Sequence, residues 1–198
     1  MSTTPVTPML VLRLLLALGL FIGLDYFVGK TLTQTLLPLF HWELSHINAT
    51  YSILDLRLDR VGGDSVIALD AGLAQSFYLG GHLILSDSSA RATITTLTGF
   101  VIQPVVICMA LVFSWPGSQV KECALRVAIA CALLVLVILL DVPFVLWGEL
   151  WDIHVSTFEP DLFSPLLVWK NFLQSGGRYS LGLVAGYIAI AIPQKIEN

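Results

Sequence analysis

Hydrophobic residues fall into four long runs along the chain, separated by more polar stretches. The first run covers 9–28, and at a rise of about 1.5 Å per residue it is long enough to cross a hydrocarbon core of about 30 Å. The second covers 97–115 and the third 125–147, and the short polar segment 116–122 between them predicts an antiparallel helix pair. The pattern predicts an α-helical integral membrane protein.

The fourth run is less regular than the others. Its apolar part, 179–192, is too short to cross a bilayer upright, and it follows an amphipathic or half-inserted segment, 162–173, and a break at Gly176 and Gly177. We therefore predict about four transmembrane helices, the last of them short. Gly182 and Gly186 in this helix have the small-xxx-small spacing of close helix packing and are candidate partner-binding positions, although local flexibility is an equally good interpretation.

A small β-rich module is predicted between the first and second runs. Leucines at 54, 56 and 58 alternate with charged residues, the period of a strand with one apolar and one charged face. Gly62-Gly63-Asp64 then predicts a hairpin, and further short apolar stretches give three or four antiparallel strands. This module is too small for a core of its own. The face formed by Leu54, Leu56 and Leu58 must therefore rest on the protein's helices, the bilayer or a partner.

The predicted order of segments has three parts. Residues 1–29 form the first transmembrane helix, and 30–95 form an external interfacial helix followed by the β module. Residues 96–198 form a three-helix membrane region with an interfacial segment at 150–175. A cleaved signal peptide is the alternative for the first run, but the run is long for one and lacks a small-x-small cleavage site.

Composition supports the membrane assignment. Hydrophobic residues make up 56% of the chain and charged residues only 12%, against about 25% charged in a typical soluble domain. This excludes intrinsic disorder, nucleic-acid binding through a basic patch and most soluble enzymes.

Charge distribution predicts the orientation. With both termini in the cytoplasm, the inner side holds four basic and two acidic residues and the outer side six basic and twelve acidic ones, which accounts for the net charge of −4. The short inner loop then carries Lys121 and Arg126, as the positive-inside rule requires. We expect a multi-pass protein of a bacterial inner membrane with an acidic external module. Cys108, Cys123 and Cys131 lie in or beside the second and third runs, where small buried apolar residues are the better interpretation than nucleophiles.

Two groups of polar residues are candidates for chemistry. His41, Glu43 and His46 follow the first run, but the two histidines would lie about 140° apart on a helix, so we predict ordinary interfacial residues and no metal site. Asp25, Asp141 and Arg178 lie near the outer ends of the runs, where a charge needs water, a partner or a function. An Asp–Arg pair between helices is the structural interpretation, and a substrate or partner site is the functional one.

Three short segments carry a resemblance to a known family. Residues 39–44, 140–148 and 176–182 resemble the small membrane proteins associated with exosortase H, a bacterial membrane protease that processes proteins with a C-terminal sorting helix. Exosortases use a Cys with Arg and His at the outer side of the membrane. Here the cysteines fall on the cytoplasmic half, so the resemblance implies an accessory protein rather than the protease.

The sequence therefore leaves three functions open. The first is a non-enzymatic accessory subunit that binds a membrane protein partner and presents the acidic module. The second is a membrane enzyme acting at the outer interface on a lipid-linked or peptide substrate, and the third is a structural subunit of a large membrane complex. We find no catalytic motif, and we expect no cofactor and no nucleic-acid partner.

Overall fold

The structure is a computed structural model that describes residues 8–47, 49–87, 90–116 and 120–196. The middle of the predicted loop at 116–122 lies outside the described residues, and so do two of the three residues at 87–89, where the sequence also predicts a turn. The helices are α1 (Pro8–Ile47), α2 (Gly99–Ser114), α3 (Val120–Phe158), α4 (Pro165–Phe172) and α5 (Arg178–Ile196), with a π-helical turn at Leu173–Gly177. The strands are β1 (Tyr51–Val61), β2 (Asp64–Leu73), β3 (Phe77–Leu79), β4 (His82–Ile84) and β5 (Arg91–Leu97).

The first helix is longer than the sequence predicts. The predicted span at 9–28 and the predicted interfacial helix at 36–46 are one continuous helix of 40 residues. The polar stretch between them, 30–35, contains neither Gly nor Pro, so nothing in it ends a helix. The hydroxyl group of Thr35 is satisfied by the helix itself, since its Oγ1 donates to the carbonyl oxygen of Leu32 at 2.7 Å.

The third run also continues past its predicted end. Helix α3 has 39 residues and runs well beyond Trp147. In the described part of the chain, α1 and α3 are the two helices long and apolar enough to cross a membrane, while α2 is apolar but has only 16 residues. The structure thus confirms a mostly helical chain with a small antiparallel sheet and two membrane-crossing candidates.

The predicted break before the last helix is confirmed. Gly176 has φ = 106°, a conformation that side-chain-bearing residues rarely adopt, and it interrupts the π-helical turn between α4 and α5. Helix α4 begins at Pro165, where the fixed φ of proline suits a first turn.

The sheet is built as a meander with an added hairpin. Strands β1, β2 and β5 form a three-stranded antiparallel sheet with β2 in the centre, and β3 pairs with β4 separately. The predicted turn joins β1 to β2, and Gly62 and Gly63 have φ values of 61° and 98°. Such positive φ values at both positions are what a tight hairpin turn demands.

A β-bulge alters the predicted leucine face. Pairing shifts between Ile53 and Asp55, so Leu54 is an extra residue with no single partner on β2. Leu56 and Leu58 stay in register, opposite Leu69 and Ile67, which are fully buried. Leu56 and Leu58 are half-buried and Leu54 is 49% exposed. The apolar face of the sheet is therefore covered within this chain along β2 and more open along β1.

The chain divides into two compact units, each formed by separate segments. Met1–Lys30, Ile102–Ile138 and Gly177–Asn198 make up one, which we call the apolar unit. Thr31–Val101 and Leu139–Gly176 make up the other, which we call the sheet unit. The sheet is thus not a module on its own: helical residues from α1, α3 and α4 belong to the same unit and contribute buried residues such as Phe40, Leu146 and Lys170.

Candidate functional site

An apolar groove of about 370 Å³ lies in the apolar unit. It is formed by residues of α1, α2 and α5, and one acidic side chain, that of Asp25, lines it. The other lining residues are Leu18, Ile22, Gln103, Val106, Ile107 and Tyr179. The volume lies within the range of about 300–1,000 Å³ typical of sites that hold a ligand or an inserted group.

Gly29 makes room for the carboxylate of Asp25. A Cβ atom at Gly29 would collide with Asp25 Oδ1 and with Ile102 Cδ1 of α2. Glycine therefore lets the Asp25 side chain lie along its own helix while α2 approaches closely. Among the described residues, none forms a hydrogen bond or ion pair with Asp25. The structure thus places a carboxylate in an apolar groove without a counter-ion from the described chain.

Asp141 and Arg178, predicted together with Asp25, are both buried. Asp141 is 1% exposed in the sheet unit and Arg178 is 2% exposed in the apolar unit. Each takes part in a hydrogen bond, ion pair or electrostatic interaction. Both are therefore structurally engaged residues. Since no described residue pairs with Asp25, the predicted Asp–Arg pair stays a prediction for Asp141 alone.

Of the two histidines of α1, His46 is occupied locally. His46 Nδ1 donates to the carbonyl oxygen of Trp42 at 2.7 Å, and the two rings lie 4.8 Å apart. His41 is exposed. Among the described residues, no three His, Cys, Asp or Glu side chains come close enough to hold a metal ion.

Glu43 lies in a different environment from these histidines. Its Oε2 atom is buried and has no hydrogen-bond partner in the described chain. Burial raises the pKa of the Glu43 carboxyl above its usual 4.5. A buried carboxylate oxygen without a donor is costly, so the environment favours the protonated form.

An ionic cluster that the sequence did not indicate lies between α3 and α4. Lys170 is 4% exposed, and its ammonium group lies 2.7 Å from Asp152 Oδ2 and 3.4 Å from Glu149 Oε2. Gln174 Nε2 donates to Glu149 Oε1 at 2.7 Å. The only signal in the sequence is the spacing of these charges along two separate helices. It could not predict the cluster, because the sequence does not give the angle at which the helices pack.

A second polar contact joins the sheet to α3. Tyr51 Oη lies 3.1 Å from His154 Nδ1, and both atoms lie within 3.3 Å of the carbonyl oxygen of Leu150. Because a carbonyl oxygen only accepts, the tyrosine hydroxyl and the imidazole N–H both donate towards it. Burial raises the pKa of Tyr51 well above its usual value, so the phenol stays neutral. A cavity of about 150 Å³ adjoins this contact, lined also by Arg91.

The two glycines of α5 are already packed within the chain. A Cβ atom at Gly182 would come 2.9 Å from the carbonyl oxygen of Pro104, and one at Gly186 would come 3.0 Å from Leu111 Cδ2 and 3.2 Å from the carbonyl oxygen of Cys108. The small-xxx-small surface predicted for a partner therefore receives α2 of the same chain. Cys108 is buried as predicted, whereas Cys123 and Cys131 are exposed, so the expectation of burial was wrong for those two.

No protein-family model matches this chain, and no curated protein or solved structure matches it either. The resemblance to exosortase H-associated membrane proteins stays a prediction.

Proposed function

We propose that this chain is a non-enzymatic accessory subunit of a bacterial inner membrane that binds a membrane protein partner. The observation that carries the proposal is the uncovered surface of α1. In its most apolar stretch of 18 residues, none is buried within the chain. A helix of that kind needs lipid or another protein around it.

The hydrophobic free energy of the exposed leucines on α1 supports a location in lipid or against another protein. Leu15, Leu16 and Leu20 are each more than 60% exposed. Full burial of a leucine side chain is worth about 1.5–3 kcal/mol, so leaving a whole helix of them in water would cost many kcal/mol. A continuous exposed apolar surface along a helix marks a contact with a membrane or with another protein.

The proposed topology has four spans. The first part of α1, α2, the first part of α3 and α5 cross the membrane, with both termini in the cytoplasm and the sheet unit outside. Lys121 is exposed at the start of α3, and Arg126 lies five residues further along the same helix, which fits a basic inner end of this helix. The acidic residues of β1 and β2 then face the external medium.

The cavity next to the sheet gives no support to an enzymatic role. The cavity beside Tyr51 and His154, at about 150 Å³, is smaller than typical ligand pockets. Lys170 and the Arg126–Glu122 pair are buried and matched by opposite charges. The three segments that resemble exosortase H-associated proteins make a protein-sorting complex the proposed setting.

Topology can be tested by cysteine accessibility. In a background in which all three native cysteines are replaced by Ala, Asp64→Cys should react with a membrane-impermeant maleimide in intact cells. Lys121→Cys should react only after the cells are permeabilised. Both positions are exposed in the structure, so access to the reagent is limited by the membrane alone. Labelling of Lys121→Cys in intact cells contradicts the orientation.

Partner binding can be tested with two matched substitutions. Leu15 on α1 is 63% exposed and lies on the same side of the helix as Leu18 and Ile22, whereas Leu136 on α3 is 53% exposed. We expect a membrane protein to co-purify in mild detergent, and we expect Leu15→Trp to reduce its recovery more than Leu136→Trp does. A chain that purifies as a monomer from its native membrane, with no retained protein, contradicts the proposal.

A further inference from the structure

We infer that the groove of the apolar unit receives a transmembrane helix of the partner that carries a Lys or Arg side chain opposite Asp25. The inference rests on the proposed function, since it needs α1 to lie in a bilayer. It adds the chemistry by which the partner is recognised.

The position of Asp25 along α1 is the first argument. At about 1.5 Å per residue it lies about 24 Å along the helix from Met9, which is inside a hydrocarbon core of about 30 Å and near its outer boundary. An ionisable group at this depth is costly unless it meets water, an opposite charge or a functional ligand. Asp25 is only half-buried by its own chain.

The composition of the groove is the second argument. Most of its lining is aliphatic, with Asp25 as its acidic group and Gln103 and Tyr179 as further polar groups. An apolar groove with one carboxylate is complementary to an apolar helix with one cation. The amide oxygen of Gln103 offers an additional acceptor to the same cation.

The chain's own described cations do not take this role. Arg126 belongs to an ion pair with Glu122 and also donates to the carbonyl oxygen of Pro116. Lys30 is exposed and forms no ion pair with Asp25. Arg178, next to the groove residue Tyr179, is already engaged in an interaction within the chain. Since no described residue pairs with Asp25, we take the counter-charge to come from outside the described chain.

A partner helix explains the depth better than a lipid amine does. Amines of lipids lie in the headgroup region, beyond the hydrocarbon boundary, whereas Asp25 lies inside that boundary. A Lys or Arg on a helix can be fixed at any depth by the position of the residue, and close packing then removes the charge pair from lipid.

The test uses synthetic transmembrane peptides as probes. The full chain is reconstituted in phosphatidylcholine vesicles with one of two labelled Leu/Ala helices, which differ only in a Lys or a Leu near the outer end. We expect the Lys peptide to bind about tenfold more tightly than the Leu peptide, as measured by energy transfer. Asp25→Asn should remove this preference, and Asp25→Glu should retain most of it. Asp64→Asn, outside the groove, should leave it unchanged.

Three outcomes overturn the inference. Equal binding of the two peptides shows that charge is not recognised, and a preference that survives Asp25→Asn places the recognition elsewhere. Loss of the preference when phosphatidylethanolamine is added shows that a lipid amine occupies the groove. Alkaline extraction of the same vesicles separates the two proposals. A chain that is inserted but shows no preference overturns this inference alone, whereas a chain that is extracted overturns the proposed function as well.

Discussion

Lys170 Nζ lies 2.7 Å from Asp152 Oδ2 and thereby joins α4 to the last part of α3. Gly148 permits this contact, because a Cβ atom there would come within 3.1 Å of Lys170 Cβ and Cδ. The aliphatic part of the lysine thus crosses α3 at Gly148, and its charged end reaches Glu149, the next residue, and Asp152, one turn further on. This buried side chain thereby helps to hold α4, the segment that precedes the π-helical turn, against α3.

Replacing this lysine should therefore destabilise the sheet unit. Lys170→Met keeps the apolar length of the side chain but leaves Asp152 and Glu149 without their cation. Because both carboxylates are partly exposed, we expect a loss of about 1–3 kcal/mol in the free energy of unfolding rather than the larger value of a fully buried pair. Thermal unfolding in detergent measures it. Lys121→Met, at an exposed position, should have little effect, and equal losses in the two variants would contradict the role of the cluster.

The hydroxyl of Tyr51 should also contribute to stability. Tyr51→Phe removes the contacts with Leu150 and His154 and leaves the buried carbonyl oxygen with one donor fewer. We expect a loss of about 1 kcal/mol in the free energy of unfolding. Tyr78→Phe is the matched control because Tyr78 is 75% exposed. A larger effect at Tyr78 would show that the Tyr51 contact is not a stabilising one.

Asp70 should make the stability of the sheet sensitive to acid. Its pKa is held below the usual 3.8, first by the hydrogen bond from Arg57 and then by the one from Thr93. Because the pKa is lower in the folded state, this stabilisation is complete above the usual pKa and is lost as the pH falls through the folded-state pKa. Unfolding midpoints of the wild type and Asp70→Asn should differ at pH 6 and converge in strong acid. A constant difference across that range would contradict the assignment.

Glu43 should change the pH dependence of stability in the direction opposite to that of Asp70. Burial raises its pKa above 4.5, so its contribution is most favourable below that value and is lost as the pH rises through the folded-state pKa. Glu43→Gln should therefore be more stable than the wild type at neutral pH, and the difference should shrink on acidification. Unfolding curves at pH 4 and pH 8 measure this. A variant that is less stable at pH 8 would show that the ionised carboxylate has a donor.

The contact between α5 and α2 should not tolerate a side chain at Gly182. A Cβ atom at this position would lie 2.9 Å from a backbone oxygen of α2, so Gly182→Ala requires the helices to separate. We expect a loss of about 1 kcal/mol or more in the free energy of unfolding of the detergent-solubilised chain. Gly19→Ala has open space around the new atom and should be neutral or slightly stabilising. Equal effects at the two positions would contradict the close packing.

Local sequence pattern predicted the elements better than their ends. The hairpin at Gly62 and Gly63 and the break at Gly176 were predicted correctly because positive φ values are tied to glycine. The continuation of α1 past Lys30 was missed because a change from apolar to polar residues was treated as a helix end. A stretch of polar residues without Gly or Pro can continue a helix. What changes at such a stretch is the environment of the helix, from apolar to polar.

Tertiary contacts account for what the sequence could not predict. Tyr51 and His154 are 103 positions apart, and nothing local to either residue indicates the other. The bulge at Leu54 arises from pairing between two strands, so period-two alternation alone placed Leu54 with Leu56 and Leu58. Asp25 was a candidate from its position in an apolar run, but the groove around it needs three helices to form.

Strand β1 combines features that discourage another strand from pairing with it. It lies at an edge of the three-stranded sheet, and its outer residues Asp55, Arg57 and Asp59 carry charge. Charges and a bulge on an edge strand are the means by which proteins prevent intermolecular β-pairing. Copies at high local concentration should thus stay separate, without this edge acting as a template for aggregation.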